Sequence, residues 1–175
     1  MDKKLALSQD ILELLKDSIR EVYQNENDYF KIVNGQHRHE RQIVFRIAHV
    51  LANKIEGEKI LIGEKGKIFV DFEPNRCNGR IKEKLAKGKR IIPDLIIHVR
   101  DETGYLVAEF KYGYADATND YEKLHALTRC GDNDEMANEN CPNYKLGVFI
   151  RLKNSWAEYT LFKDGEIVSP ENKRI

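Results

Sequence analysis

The segment that most constrains how this chain can fold runs from Arg90 to Tyr112. It contains two runs rich in β-branched and aromatic residues, separated by Asp101–Gly104, whose residue types are typical of a turn, and it therefore predicts a β-hairpin. Because strand side chains alternate between faces, Asp94 shares one face of this hairpin with Glu109 and Lys111. The predicted register places Asp94 opposite Lys111 and diagonal to Glu109, with Cβ atoms about 6–8 Å apart.

Two carboxylates at that separation can share one divalent cation, and hard oxygen ligands favour magnesium or manganese. Lys111 lies two residues after Glu109 on the same face, so its ammonium group reaches the same point. The alternative is a surface hairpin whose charged side chains are simply solvated.

Pro93-Asp94, followed fifteen residues later by Glu109-Phe110-Lys111, resembles the signature of the PD-(D/E)XK nuclease superfamily. V-D-F-E-P-N-R (70–76) and D-Y-E-K-L (120–124) are similar to patterns in bacterial or phage members, although Pro74 replaces an aromatic residue. The resemblance implies an α/β, three-layer restriction-endonuclease-like fold, with a central mixed β-sheet flanked by helices and the core order αβββαβ. We expect a single domain over residues 1–175, with its core at about 37–152 and with an N-terminal helix and a C-terminal hairpin as additions.

The same resemblance assigns roles to the hairpin residues. Asp94, Glu109 and the backbone carbonyl of Phe110 would bind Mg²⁺ or Mn²⁺. Lys111 would orient the attacking water or stabilise the phosphorane. Glu40 would be a further acidic residue at the metal, bound directly or through water.

The residues around Glu40 also draw attention to it independently of any family. Ile43 and Val44 follow it by three and four residues, so Glu40 lies on the apolar face of a helix predicted from His37 to about Lys54. A carboxylate at the inward edge of a helix is unusual unless a positive group meets it. The alternative is an acid at a helix N-terminus, favoured by the helix dipole.

A basic segment lies between the predicted strands, and a cationic loop beside a metal centre would suit contact with phosphates. A solvated linker is an equally good interpretation, and the formal net charge of +0 counts mildly against a protein that coats itself in nucleic acid. Lys123 would either reach the site or pair with Asp120 or Glu122. The candidate nucleic-acid contacts are Arg76, Arg80, Lys82 and Lys123.

Periodicity and turn residues predict the remaining elements. They are a helix over 8–24 with Ser8 as its N-cap, a strand over 67–73, a short helix over 81–87, a helix over 118–129, a buried strand over 144–152 and a terminal hairpin over 156–168. Asp71 in the first strand is expected to pair with Arg76 or the basic segment. Cys77, Cys130 and Cys141 are expected to be free thiols.

The resemblance to the PD-(D/E)XK superfamily implies a metal-dependent nuclease that hydrolyses phosphodiester bonds in nucleic acid, with DNA as the favoured substrate. The alternative is a catalytically inactive module of the same fold that binds nucleic acid or a protein partner. A homodimer would suit cleavage of two strands. No apolar run approaches the ~20 residues that span a bilayer and no signal peptide is evident, so we expect no membrane association and a cytoplasmic location.

Overall fold

The computed structural model of the chain describes residues 3–30, 40–57, 66–72, 76–77, 80–81, 85–86, 89–99, 104–129 and 144–171. The helices are α1 (Lys3–Asn25), a single 3₁₀ turn (Asn27–Phe30), α2 (Glu40–Gly57) and α3 (Thr118–Thr128). The strands are β1 (Ile68–Phe72), β2 (Arg76–Cys77), β3 (Arg80–Ile81), β4 (Leu85–Ala86), β5 (Lys89–Arg90), β6 (Leu95–Val99), β7 (Gly104–Tyr112), β8 (Leu146–Leu152), β9 (Ala157–Lys163) and β10 (Glu166–Glu171). None of these helices combines the length and the apolar character needed to cross a membrane.

Six strands form one mixed sheet in the order β1-β6-β7-β8-β9-β10. All neighbouring pairs are antiparallel except β7 and β8, which run parallel and are connected through α3. The short strands pair separately, β2 with β3 and β4 with β5. The predicted α/β class with a central mixed sheet and helices is therefore confirmed.

Helices cover both faces of the sheet because β7 is apolar on both of its faces. Leu106 and Phe110 point towards α1 and α2 and join a core cluster that includes Ile11 and Ile47. Val107 points the other way and packs in a second cluster with Leu124 of α3. From Leu106 onwards, alternate residues of β7 therefore face different helices, and the odd-numbered positions 109 and 111 lie on the side of α3.

The register of the central hairpin differs from the prediction by two residues. Leu95 lies opposite Ala108 and Ile97 opposite Leu106, with an irregularity between Ile97 and His98. Continuing this register brings Asp94 level with Glu109 rather than with Lys111. Apolar alternation specifies only which face a residue occupies, so a shift of two residues leaves the pattern unchanged.

Two local predictions were wrong. Ser8 is not an N-cap: α1 begins earlier, and Ser8 is fully buried, with its hydroxyl donating a hydrogen bond to the Tyr105 carbonyl at 2.9 Å. The short helix predicted over 81–87 is also wrong, because Leu85–Ala86 form strand β4 paired with Lys89–Arg90.

Candidate active site

Six charged side chains meet at the carboxyl end of β7, and we call them the carboxylate–lysine cluster. Asp94 immediately precedes β6, and Glu109 and Lys111 lie on β7. Glu40 is the first residue of α2, while Asp120 and Lys123 lie on α3. The members of the cluster are Glu40, Asp94, Glu109, Lys111, Asp120 and Lys123.

The backbone of β7 positions two of the carboxylates. The Phe110 N–H donates a hydrogen bond to Asp94 Oδ2 at 2.8 Å, and the Tyr112 N–H donates one to Glu40 Oε2 at 2.7 Å. Pairing between β6 and β7 ends at the level of Ala108, so these two N–H groups need acceptors other than a strand carbonyl. The two N–H groups beyond the last β6–β7 pair therefore fix the positions of both carboxylates.

The two lysines connect the carboxylates to one another. Lys123 Nζ lies 2.8 Å from Glu109 Oε2 and 3.3 Å from Asp120 Oδ1. Lys111 Nζ lies 3.1 Å from Asp120 Oδ2 and 3.9 Å from Glu40 Oε1. Asp120 thus bridges the two ammonium groups, with one oxygen towards each.

Glu109 is the most buried member of the cluster, with 0% of its surface exposed. Its Oε1 atom has no hydrogen-bond partner among the described residues. Burial, and next the charge of Asp94, hold the pKa of the Glu109 carboxyl well above its ordinary value, against the opposing effect of Lys123. A buried carboxylate oxygen without a partner is costly, so this atom is available to accept a hydrogen bond from water or to bind a cation.

Burial also raises the pKa of Asp94 and of Glu40, although the hydrogen bonds from the β7 backbone act against it. For the two lysines, the effect of the neighbouring charges on the pKa exceeds the effect of burial. Burial disfavours their charge, but the carboxylates outweigh it and hold the pKa of Lys111 and of Lys123 above the usual value. Carboxyl groups that burial makes harder to ionise therefore lie beside ammonium groups whose charge the carboxylates favour.

The donor chemistry of this cluster fits a hard divalent cation. The described residues contain no ready-made group of three or more His, Cys, Asp or Glu side chains that could hold a metal. Magnesium, however, keeps several of its waters and is commonly held by one or two carboxylates. Asp94 and the unpartnered oxygen of Glu109 provide those two, so the residues fit.

The structure brings together five residues that the sequence singled out. Asp94, Glu109, Lys111 and Glu40 are all in the cluster, and so is Lys123, which pairs with Asp120 as well as reaching Glu109. The structure shows a contact between Asp94 and the Phe110 N–H, while a metal-binding role for the Phe110 carbonyl remains a prediction.

Asp120 was missed as a site residue, since it was considered only as a partner for Lys123. Its i,i+3 spacing from Lys123 at the start of α3 was the available signal. Asp71 Oδ2 contacts His98 Nε2 at 2.9 Å, a partner that the sequence analysis did not propose.

The side chains of the other candidate nucleic-acid contacts lie outside the described part of the structure. Lys82 lies outside the described residues, as do the side chains of Arg76 and Arg80, and the same holds for Cys130 and Cys141.

Comparison with known proteins adds no identification. No protein-family model, curated protein or solved structure matches this chain.

Proposed function

We propose that this protein is a metal-dependent nuclease of the PD-(D/E)XK type, with a restriction-endonuclease-like fold and DNA as its favoured substrate. The observation that carries the proposal is the convergence of Asp94, Glu109 and Lys111 at one end of β7, with Glu109 buried and one of its oxygens unpartnered among the described residues. The order of elements also supports it. Helix α2, strands β1, β6 and β7, helix α3 and strand β8 follow the αβββαβ order of that fold.

Phosphodiester hydrolysis needs an activated water, alignment with the phosphorus atom, and neutralisation of the charge that develops in the transition state. Mg²⁺ or Mn²⁺ bound by Asp94 and Glu109 would supply a water of lowered pKa and a counter-charge for the phosphate. The backbone hydrogen bond to Asp94 fixes its carboxylate before any ligand arrives. Glu109 is fully buried, and the hydrogen bond from Lys123 to its Oε2 atom holds its carboxylate.

Lys111 supplies the positive charge beside the reacting phosphate. Its side chain is 23% exposed, so the ammonium can meet a substrate that approaches from solvent. Asp120 and Glu40 hold this ammonium from two sides and raise its pKa. Lys111 is therefore placed to act as a charged hydrogen-bond donor that orients the water or the phosphate oxygen.

The test is to incubate the purified protein with single- and double-stranded DNA and RNA, with Mg²⁺, with Mn²⁺ and with EDTA. We expect cleavage only with a divalent cation, and its loss in Asp94→Ala, Glu109→Ala and Lys111→Ala. Glu56→Gln is a matched control, since Glu56 lies on α2 about 24 Å along the helix from Glu40 and pairs with exposed Lys67 at 3.2 Å. Wild-type cleavage rates in all three site variants would refute the proposal.

One observation favours the alternative of a catalytically inactive binding module. Each lysine of the cluster already contacts two carboxylates, so part of the negative charge is compensated without a metal. In that case the protein would bind nucleic acid or a protein partner and cleave nothing with any cation. The same incubation, followed by a gel-shift measurement, separates the two functions.

A further inference from the structure

An exposed aromatic side chain follows the last cluster residue of β7 by three positions. Tyr114 is 89% exposed, more than any other large apolar side chain among the described residues. It follows Lys111 by three residues, so its Cα lies within about 11 Å of the Lys111 Cα. An aromatic ring this exposed contributes little to the core, and its place beside a candidate site points to contact with a ligand.

The turn that carries Tyr114 is fixed to the end of β8. Arg151 Nη1 donates hydrogen bonds to the carbonyls of Gly113 at 3.1 Å and Ala115 at 2.9 Å. Lys153 Nζ also donates to the Gly113 carbonyl, at 3.0 Å. Gly113 itself has a φ of 74°, a left-handed conformation that glycine adopts without strain. The carbonyls on either side of Tyr114 are therefore held, which fixes the backbone from which its side chain extends.

A cation lies beneath the ring. Lys153 Nζ is 3.2 Å from the centroid of the Tyr114 ring and 5.8 Å from that of Trp156. Lys153 is only 6% exposed. One face of Tyr114 therefore rests on an ammonium group, and its high exposure leaves the opposite face open to solvent.

An open aromatic face backed by a positive charge suits a flat, polarisable group attached to an anion. An unpaired nucleobase has this chemistry: its ring stacks on aromatic side chains whatever its sequence, while its phosphates favour nearby cations. Bases inside a duplex are already stacked on their neighbours and cannot offer a free face. We propose that Tyr114 is a stacking platform for an unpaired nucleobase, so that single-stranded or splayed nucleic acid is the preferred substrate of the cluster.

This inference rests on the proposed nuclease function and is tested separately from cleavage. Binding of fluorescently labelled oligonucleotides is measured by anisotropy in EDTA, with single-stranded, abasic single-stranded and duplex forms of equal length. We expect Tyr114→Ala to bind the base-containing single strand about 5- to 150-fold more weakly, the range found for removal of a stacked aromatic. Its affinity for the abasic strand and the duplex should equal that of the wild type.

Two further variants isolate the contribution of the Tyr114 ring. Tyr114→Phe keeps the ring and should keep wild-type affinity, and Phe45→Ala removes an aromatic side chain that is 53% exposed on α2 and should have no effect. Equal affinity of Tyr114→Ala and wild type for the base-containing strand would overturn the platform, as would an equal loss on the abasic strand. If either result were found while wild type cleaved nucleic acid with Mg²⁺, only the proposed role of Tyr114 would be refuted. If wild type neither bound nor cleaved nucleic acid, the proposed nuclease function would be refuted as well.

Discussion

Replacing Lys123 with methionine tests the electrostatics of the cluster directly. Methionine keeps most of the length and apolar packing of the lysine stem and removes the ammonium group. The variant therefore leaves Glu109 buried without the charged donor that lies 2.8 Å from its Oε2 atom.

The size of the effect follows from burial. Glu109 is 0% exposed and the Lys123 side chain 28% exposed, so water can replace little of the lost interaction. Hydrogen bonds to charged groups contribute about 1.5–3 kcal/mol, and removing one partner of a fully buried ion pair costs about 3–5 kcal/mol. Because Lys123 is partly exposed and Glu109 can take up a proton, we expect a loss of about 2–4 kcal/mol in the free energy of unfolding.

The assay is urea denaturation at neutral pH in EDTA, followed by circular dichroism. Lys67→Met is the control, since Lys67 pairs with Glu56 at 3.2 Å and both side chains are mostly exposed. Such pairs contribute little, and this variant should stay close to wild type. The double variant Glu109→Gln/Lys123→Met removes both charges and should regain part of the lost stability, which a double-mutant cycle measures as a coupling energy.

Two results would refute this reasoning. If Lys123→Met cost no more stability than Lys67→Met, the contact would carry no more energy than a surface pair. If the double variant were as unstable as the sum of the two single variants, Lys123 would not be stabilising Glu109.

Three further predictions concern single positions. Burial raises the pKa of Glu109 in the folded protein, so the stability that this group contributes is full below its unfolded pKa of about 4.3 and is lost as the pH rises through the folded pKa. Urea denaturation at a series of pH values should therefore show wild type losing stability relative to Glu109→Gln as the pH rises. A difference between the two proteins that stays constant with pH would contradict this prediction. Gly104→Ala would place a Cβ atom 2.2 Å from the ring of Tyr144 and should cost about 1–3 kcal/mol or more in thermal unfolding, while Gly57→Ala, with nothing within 4 Å, should cost nothing. Ser8→Ala removes a buried hydrogen bond to β7 and should cost about 1 kcal/mol in the same assay; an unchanged Tm would show that this bond is not needed.

The sequence predicted the sheet and its faces because burial leaves a direct trace in side-chain alternation. Val107 and Phe110 had to be buried on opposite faces of β7, and both are. The register could not be predicted from that alternation. A two-residue shift places Asp94 opposite Glu109 instead of Lys111 without changing which face each apolar side chain occupies. A shift by an even number of residues keeps each side chain on its predicted face, so Asp94 and Glu109 still lie on the same face of the hairpin.

The site was predictable where a single residue conflicted with its surroundings. Glu40 stood out because a carboxylate occupied the apolar face of a helix, and it lies in the cluster. Asp120 gave no such signal, since an acid in the first turn of a helix is common and favoured by the helix dipole. Its role as a bridge between Lys111 and Lys123 depends on how α3 packs against β7, which no local pattern specifies. Ser8 was misread because a serine before an apolar run resembles an N-cap even when it is buried inside the helix.

The most direct test of the central claim is a calorimetric titration of the metal-free protein with Mg²⁺ and with Mn²⁺. Wild type and the Glu56→Gln control are expected to bind at millimolar concentrations or below. Asp94→Asn and Glu109→Gln, which keep the shape of each side chain and remove its charge, are expected to lose that binding. Absence of binding to wild type at millimolar cation, or equal binding to all four proteins, would contradict the proposal that Asp94 and Glu109 form the metal site of a nuclease.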